Sequence, residues 1–279
     1  MSSSSRFVAI AARFRAVFFD QYGVLHDGRR AYPGAKEAMT ALKSREVKVV
    51  VLSNSGRTSE ANRERLASLG FAPDLYDLLI TSGDVARGLL KMGRGSVSVA
   101  PGARCFTIGS DERDDFAPEL GLASVAESGD ADLVVVSGSQ ADRVPLERYR
   151  EQLAPAAARG APCLCVNPDK IMLTGRGSAP GPGRIAEIYE QLGGEVAWIG
   201  KPYSAIYEAA AKATGVKDPR DILCVGDSVE HDVAGAHAFG ASAALVRTGI
   251  LADLPEQELS AEIGRHGVVP DFVIKNLLR

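Results

Sequence analysis

Aromatic residues are few in this chain, long apolar runs are missing, and neither sign of charge dominates. No stretch approaches the roughly 20 apolar residues that a membrane-spanning helix needs. The formal net charge over 279 residues is -3, and Lys and Arg are spread along the chain instead of gathered in a block. That excludes a general attraction to nucleic acid or to an anionic membrane surface. The four cysteines, Cys105, Cys163, Cys165 and Cys224, lie in apolar, strand-like segments. Cys163 and Cys165 share one face of a strand, yet no second pair or histidine accompanies them at metal spacing, so they read as buried small hydrophobes. Residues 1–6, Met-Ser-Ser-Ser-Ser-Arg, lack the apolar centre of a secretory signal. The expectation is a soluble, cytoplasmic protein in a reducing compartment. No repeat of solenoid period is present. A nucleotide-binding glycine loop is also excluded, because no buried strand leads into Gly175-Arg176-Gly177 or Gly181-Pro182-Gly183 and Pro182 breaks the pattern.

What the chain has in plenty is Leu, Val, Ala and Gly, the composition of packed α/β proteins, and enough length for one large or two modest domains. A helix is expected over residues 7–15. The apolar run Val17-Phe18-Phe19 then reads as a buried strand that stops at Asp20-Gln21-Tyr22-Gly23. A helix over residues 35–43 leads to a β-branched strand over 47–52, which ends at Ser53-Asn54-Ser55-Gly56-Arg57. Strand, helix and strand at this spacing make a βαβ unit with a parallel sheet. Further helices are expected over 58–69, after which Gly70 is a stop, and from Thr81-Ser82-Gly83-Asp84 to about Leu90. The order then restarts, with strands over 104–108, 133–137 and 163–166 and a helix over 146–158. A helix near 185–191 and strands over 222–225 and 243–246 follow. The predicted architecture is a core domain of residues 1–88 and 190–279, interrupted by an inserted α/β domain of residues 89–189.

Four core strands end in polar groups: Asp20, Ser53-Asn54, Gly226-Asp227 and Arg247-Thr248-Gly249. The carboxyl ends of parallel strands converge on one crevice, so residues remote in sequence can meet there. Two carboxylates, Asp20 and Asp227, can hold a hard divalent cation such as Mg2+, which takes oxygen ligands and leaves room for a substrate phosphate. An ionised aspartate can also attack phosphorus, provided the phosphoryl charge is neutralised, and Lys201 can contribute to that. Asn167 and Asp169 end a strand of the insert and are candidate specificity groups. Plainer readings stand beside these. Ser53 also suits a helix N-cap, Asp227-Ser228 with Glu230 a capping box, Asp232 a first helical turn, and Tyr203 with Tyr207 a packed helix face. His231 and His237 read as structural.

Taken together, Asp20-Gln21-Tyr22-Gly23-Val24, Ser53-Asn54-Ser55-Gly56-Arg57, Gly200-Lys201-Pro202 and Gly226-Asp227-Ser228 with Asp232 resemble the four ordered motifs of the haloacid dehalogenase (HAD) superfamily. The match is to its class IIA, the NagD-like and 4-nitrophenylphosphatase-like group. The resemblance implies a Rossmann-like three-layer core with an inserted α/β cap, and a Mg2+-dependent phosphatase of a small phosphorylated molecule, monomeric or homodimeric. It makes Asp20 the phosphorylated nucleophile and Ser53 and Lys201 the phosphate-binding pair, with Asn54 and Ser55 beside the substrate. Asn167 and Asp169 are implied on the cap side. Mg2+ would be held by Asp20, the Tyr22 backbone carbonyl and Asp227, supported by Asp232.

One position departs from the pattern. The family's phosphatases carry a second aspartate two residues after the nucleophile, as general acid and base, and Tyr22 stands there instead. A phenol with a pKa near ~10 is a poor base at neutral pH, so turnover is expected to be weak or limited to good leaving groups. His26 and Asp27 are candidate replacements. Two further functions remain open: a phospholigand-binding protein without turnover, and a metal-independent dehalogenase, whose first motif also reads Asp-x-Tyr-Gly.

Overall fold

The computed structural model describes residues 6–94, 97–111, 114–174 and 177–278. In chain order its elements are α1 (Arg6–Ala11), β1 (Ala16–Phe19), α2 (Ala35–Lys43), β2 (Lys48–Ser53), α3 (Ser59–Ser68), β3 (Leu78–Thr81), α4 (Ser82–Lys91), β4 (Arg104–Ile108), β5 (Ala123–Ser124), β6 (Leu133–Val136), α5 (Leu146–Ala158), β7 (Cys163–Cys165), β8 (Ile171–Thr174), β9 (Gly177–Pro180), α6 (Pro182–Gln191), β10 (Val196–Trp198), α7 (Ser204–Thr214), β11 (Ile222–Gly226), α8 (Ala234–Phe239), β12 (Ser242–Val246), α9 (Glu256–His266) and β13 (Phe272–Ile274). The chain divides into two compact units, one of residues 1–53, 59–80 and 201–279, the other of residues 54–58 and 81–200. The sequence reading set the boundaries of the insert at 89 and 189. α4, β10 and the segment of residues 54–58 belong to the second unit.

The first unit is built on a six-stranded sheet in the order β13-β12-β11-β1-β2-β3. The pairs from β13 through β2 are parallel, with Phe19 level with Val225 on one side and Val51 on the other. All four side chains of β1 are buried. Alternation sends Val17 and Phe19 into a cluster with Phe7, Met39 and Leu42 of α1 and α2, and turns Phe18 to the opposite face. A strand buried on both faces has to be apolar throughout, which is why Val17 to Phe19 reads as an unbroken run. The first helix is shorter than the expected span of 7–15. After Ala11 the chain makes tighter turns, Arg13 to Ile10 and Phe14 to Ala11, and the Arg15 amide is then taken by the Asp221 carbonyl as the chain enters the sheet.

The second unit carries its own five-stranded sheet, β10-β7-β6-β4-β5, with every pair parallel, and an antiparallel hairpin of β8 and β9. Its core lies on both faces of that sheet. Val134, Val136, Tyr149, Leu153 and Tyr189 pack under α5 and α6, while Cys105, Phe116, Leu133, Val135 and Leu164 fill the other side. The four cysteines are buried and make no disulfide, and burial pushes the Cys163 and Cys165 thiols far above their ordinary range. Gly181-Pro182-Gly183 opens α6, with Pro182 in its first turn, so that helix begins earlier than expected. The two glycines are there for close approach. A Cβ on Gly181 would lie 2.1 Å from the Asp169 carbonyl oxygen, and one on Gly183 2.2 Å from that of Pro168. Gly175 and Arg176 lie outside the described residues.

Among the described residues no helix is long and apolar enough to cross a membrane. Within the segment Thr81-Ser82-Gly83-Asp84, expected to start a helix, Thr81 caps α4, accepting a hydrogen bond from the Asp84 amide at 3.0 Å. Tyr203 and Tyr207 part company. Tyr207 is buried, stacks on Phe239 and donates to the His231 carbonyl, whereas Tyr203 precedes α7 and is 40% exposed.

Candidate active site

In the first unit, the register of β11, β1 and β2 brings the ends of three adjacent strands to one level. Asp20 follows Phe19, which pairs with Val225 and Val51, so Asp227 and Ser53 lie just beyond its two neighbours at the same edge of the sheet. The Asp20 amide continues the ladder to the Val225 carbonyl at 2.8 Å. Ser53 is the last residue of β2, and α3 starts only at Ser59, so it is not the N-cap of that helix.

Carboxylate oxygens of Asp20, Asp227 and Asp232 lie within 4.8 Å of one another. Lys201, 3% exposed, reaches into the group, and its ammonium donates to Asp20 Oδ1 and to Asp232 Oδ1, each at 2.6 Å. Asp232 Oδ2 also accepts the Ser228 amide at 3.1 Å. It is Ser228, not Asp227, that caps the turn, its hydroxyl accepting from the His231 amide. Three carboxylates around one ammonium leave an excess of negative charge in a buried place. Burial first, then the charges of Asp20 and Asp232, push the Asp227 carboxyl well above the usual carboxylate range. An all-oxygen donor set with uncompensated charge suits a hard divalent cation.

Glycines press on this group from several sides. A Cβ on Gly23 would lie 2.1 Å from Asp227 Oδ2, one on Gly249 1.8 Å from the same oxygen, and one on Gly226 1.9 Å from Asp232 Cγ. Gly23 and Gly249 also have φ of +99° and +56°, in the left-handed region. The Ile250 amide donates to Asp227 Oδ2 at 2.8 Å. Sequence reasoning singled out Arg247-Thr248-Gly249 as a strand end, but gave Ile250 no part in the site. Only its proximity in space reveals it.

The Tyr22 ring packs edge-on against His26 at 5.3 Å and lies over Gly28, where an added Cβ would fall 2.6 Å from the phenolic oxygen. Burial, against the pull of Arg65, raises the Tyr22 phenol above its ordinary value of 10.0. Neither candidate replacement for the acid/base is available for that role. His26 is fully buried, its Nδ1 accepts the Gly28 amide at 3.0 Å, and its Nε2 faces the Gln21 side-chain amide at 3.2 Å. Burial, helped by Arg65, drops its pKa to about 4, so the ring is neutral. Asp27 Oδ1 accepts the Arg29 and Arg30 amides, each at 2.8 Å, and its Oδ2 accepts from Arg30 Nε. Both side chains serve to fold the loop that carries them.

The remaining candidates are gathered in the second unit. Asn54 Nδ2 donates to Asp169 Oδ1 at 2.8 Å, and Asn167 Oδ1 accepts the Asp169 amide at 3.1 Å. The Ser55 carbonyl accepts from the Ser82 hydroxyl and the Gly83 amide, while the Ser55 hydroxyl accepts the Arg57 amide. Asn54, Asn167 and Asp169 therefore form one polar group, and Asp20, Lys201, Asp227 and Asp232 another.

Parallel strands that deliver a buried carboxylate cluster and a lysine at their carboxyl ends define the class as an α/β protein with an acidic, cation-suited site. Family models agree with that class. One described as haloacid dehalogenase-like hydrolase matches residues 17–123, and one described as HAD-hydrolase-like matches residues 198–278. Human chronophin is 29% identical over 280 residues, 96% of this chain and 92% of that protein. The sugar-phosphatase AraL of Bacillus subtilis is 29% identical over 268 residues, 94% of this chain and 90% of its own. A solved haloacid dehalogenase-like hydrolase from Brucella suis superposes with a TM-score of 0.82 at 30% identity, covering 96% of this chain and 97% of that one. The chain belongs to the haloacid dehalogenase-like hydrolases, in their class IIA type.

Proposed function

We propose that this chain is a Mg2+-dependent phosphatase of small phosphate monoesters that works through an aspartyl phosphate on Asp20. The observation that carries the reading is the buried group of Asp20, Asp227 and Asp232 around Lys201 at the ends of adjacent parallel strands. A carboxylate oxygen of Asp20 attacks phosphorus, the bond from phosphorus to the substrate oxygen breaks, and the leaving oxygen departs as the anion and takes its proton from water. Water then cleaves the acyl phosphate, releasing phosphate and restoring Asp20. Lys201 offsets charge on the phosphoryl oxygens, with Ser53, Asn54 and Ser55 as further phosphate-side donors. Asp20, the Tyr22 carbonyl and Asp227 would hold Mg2+, with Asp232 in support, and the ion supplies charge neutralisation on the transferred group. Residues of the second unit, Asn167 and Asp169 among them, are assigned the selection of substrate. The names of relatives, a sugar-phosphatase among them, support small organic phosphates as the class to test.

Tyr22 shapes the expected profile. A neutral phenol, with His26 and Asp27 both engaged within their own loop, favours substrates whose leaving oxygen needs no proton, such as aryl phosphates, over alkyl phosphates. The same engagement favours the second reading, a phospholigand-binding protein with little turnover. The carboxylate cluster weighs against a metal-independent dehalogenase. The test is phosphate release from a panel of alkyl and aryl monoesters with Mg2+ and with excess chelator, in the natural protein and in Asp20→Asn. The phosphatase reading expects release that needs both Mg2+ and Asp20. Full turnover in Asp20→Asn overturns the nucleophile assignment, and binding of phosphate without release from any ester supports the second reading.

A further inference from the structure

Two residues after β12 each hold a different part of the site. The Thr248 hydroxyl donates to the Gly23 carbonyl at 2.6 Å, and the Ile250 amide donates to Asp227 Oδ2 at 2.8 Å. Asp227 is thereby held between the backbones of Gly23 and Gly249, with no space for a Cβ at either position. The Gly23 peptide is fixed on its other side as well, because its amide donates to the His26 carbonyl at 2.9 Å. In a trans peptide the amide and the preceding carbonyl point in opposite directions, so this bond also aims the Tyr22 carbonyl away from His26. The Thr248 hydroxyl is the side-chain link that ties this loop to the segment holding Asp227.

We infer that Thr248 is a positioning residue, which sets the distance between the Asp20–Gly23 loop and Asp227 and so the affinity of the site for a divalent cation. The inference rests on the phosphatase reading for its metal and on the hydrogen bonds alone for its geometry. Thr248→Val keeps the shape and removes the hydroxyl, and Thr248→Ser keeps the hydroxyl. In metal-free protein, amide hydrogen exchange over residues 21–25 is expected to quicken about 5- to 10-fold in Thr248→Val, the factor that one lost hydrogen bond commands. Calorimetric Mg2+ affinity is expected to fall about 10- to 100-fold, as for other groups that orient metal ligands. Thr248→Ser restores both. Natural exchange rates and a Mg2+ affinity within about twofold in Thr248→Val overturn the inference, and so does a serine variant that behaves like the valine one, since the hydroxyl would then not be what sets the geometry. If the natural chain binds no Mg2+, the metal-dependent phosphatase reading fails, and the exchange comparison by itself decides whether Thr248 holds the loop.

Discussion

Lys201→Met keeps most of the length of the side chain and removes an ammonium that faces the carboxylate cluster. Its two contacts, at 2.6 Å to Asp20 and to Asp232, are each worth about 6 kcal/mol of raw attraction at an effective dielectric of ~20. Desolvating the ammonium and its partners costs several kcal/mol per ion and cancels most of that. What the substitution exposes is the cost of burying carboxylates without their partner, about 3–5 kcal/mol. Carboxylates can shed part of it by taking up protons, so the loss of stability is largest at neutral pH and shrinks on acidification. Mg2+ acts in the opposite sense to the mutation. Without the ammonium the cluster carries more negative charge, so the variant should bind Mg2+ at least as tightly as the natural protein and recover stability when it does. Turnover should nevertheless fall by at least about 10²-fold, since charge stabilisation of the phosphoryl group is lost. Urea unfolding at pH 7 and pH 5, with and without Mg2+, together with phosphate release, reads all of this. A metal-free variant as stable as the natural chain to within about 0.5 kcal/mol, or one that binds Mg2+ more weakly, would refute the reasoning.

Two further outcomes follow from the loop after Asp20. His26 has a folded pKa of about 4 against 6.5 for the ordinary imidazole, so the fold favours the neutral ring. Its contribution to stability is full above pH 6.5 and is lost as the pH falls through 6.5 towards 4, about 3 kcal/mol in total. An NMR titration that shows the His26 ring protonating near its ordinary value removes that account. Tyr22→Asp puts a carboxylate where the family's phosphatases have one. It should raise turnover of alkyl phosphates by about 10²-fold or more while changing that of activated aryl phosphates much less. Equal gains on both substrate types would show that the leaving-group proton is not what limits the natural protein.

The parallel core was legible because its strands are buried on both faces. Val17 to Phe19 and Ile222 to Val225 are unbroken apolar runs, and β4 spans the residues expected of it. Short or half-covered strands gave no such signal. β5 has two residues, both exposed, and β8 and β9 are partly exposed, so neither burial nor alternation marked them. β10 falls within residues 190–279, the stretch expected to belong to the core, yet it pairs with β7 of the other sheet. Three residues, Val-Ala-Trp, say that a strand exists and nothing about its partner. His26 makes a related point: its nearness in sequence to Asp20 is visible in the chain, while its burial and its bonds to Gly28 and Gln21 are not.

By itself the sequence determined the family, the α/β class and the identity of the chemical groups: an aspartate, a serine, a lysine and two further aspartates, all but Asp232 directly after an apolar run or a glycine. Local pattern is enough for that, because strand burial and turn chemistry are written in adjacent residues. Only the tertiary structure decided which groups face each other. It joined Lys201 to Asp20 across 181 positions and Thr248 to Gly23 across 225, and it separated Asn54 from Ser53, its neighbour in the chain, into a different compact unit. Such pairings depend on the order and register of strands, which are set by the whole sheet and by no single segment of it.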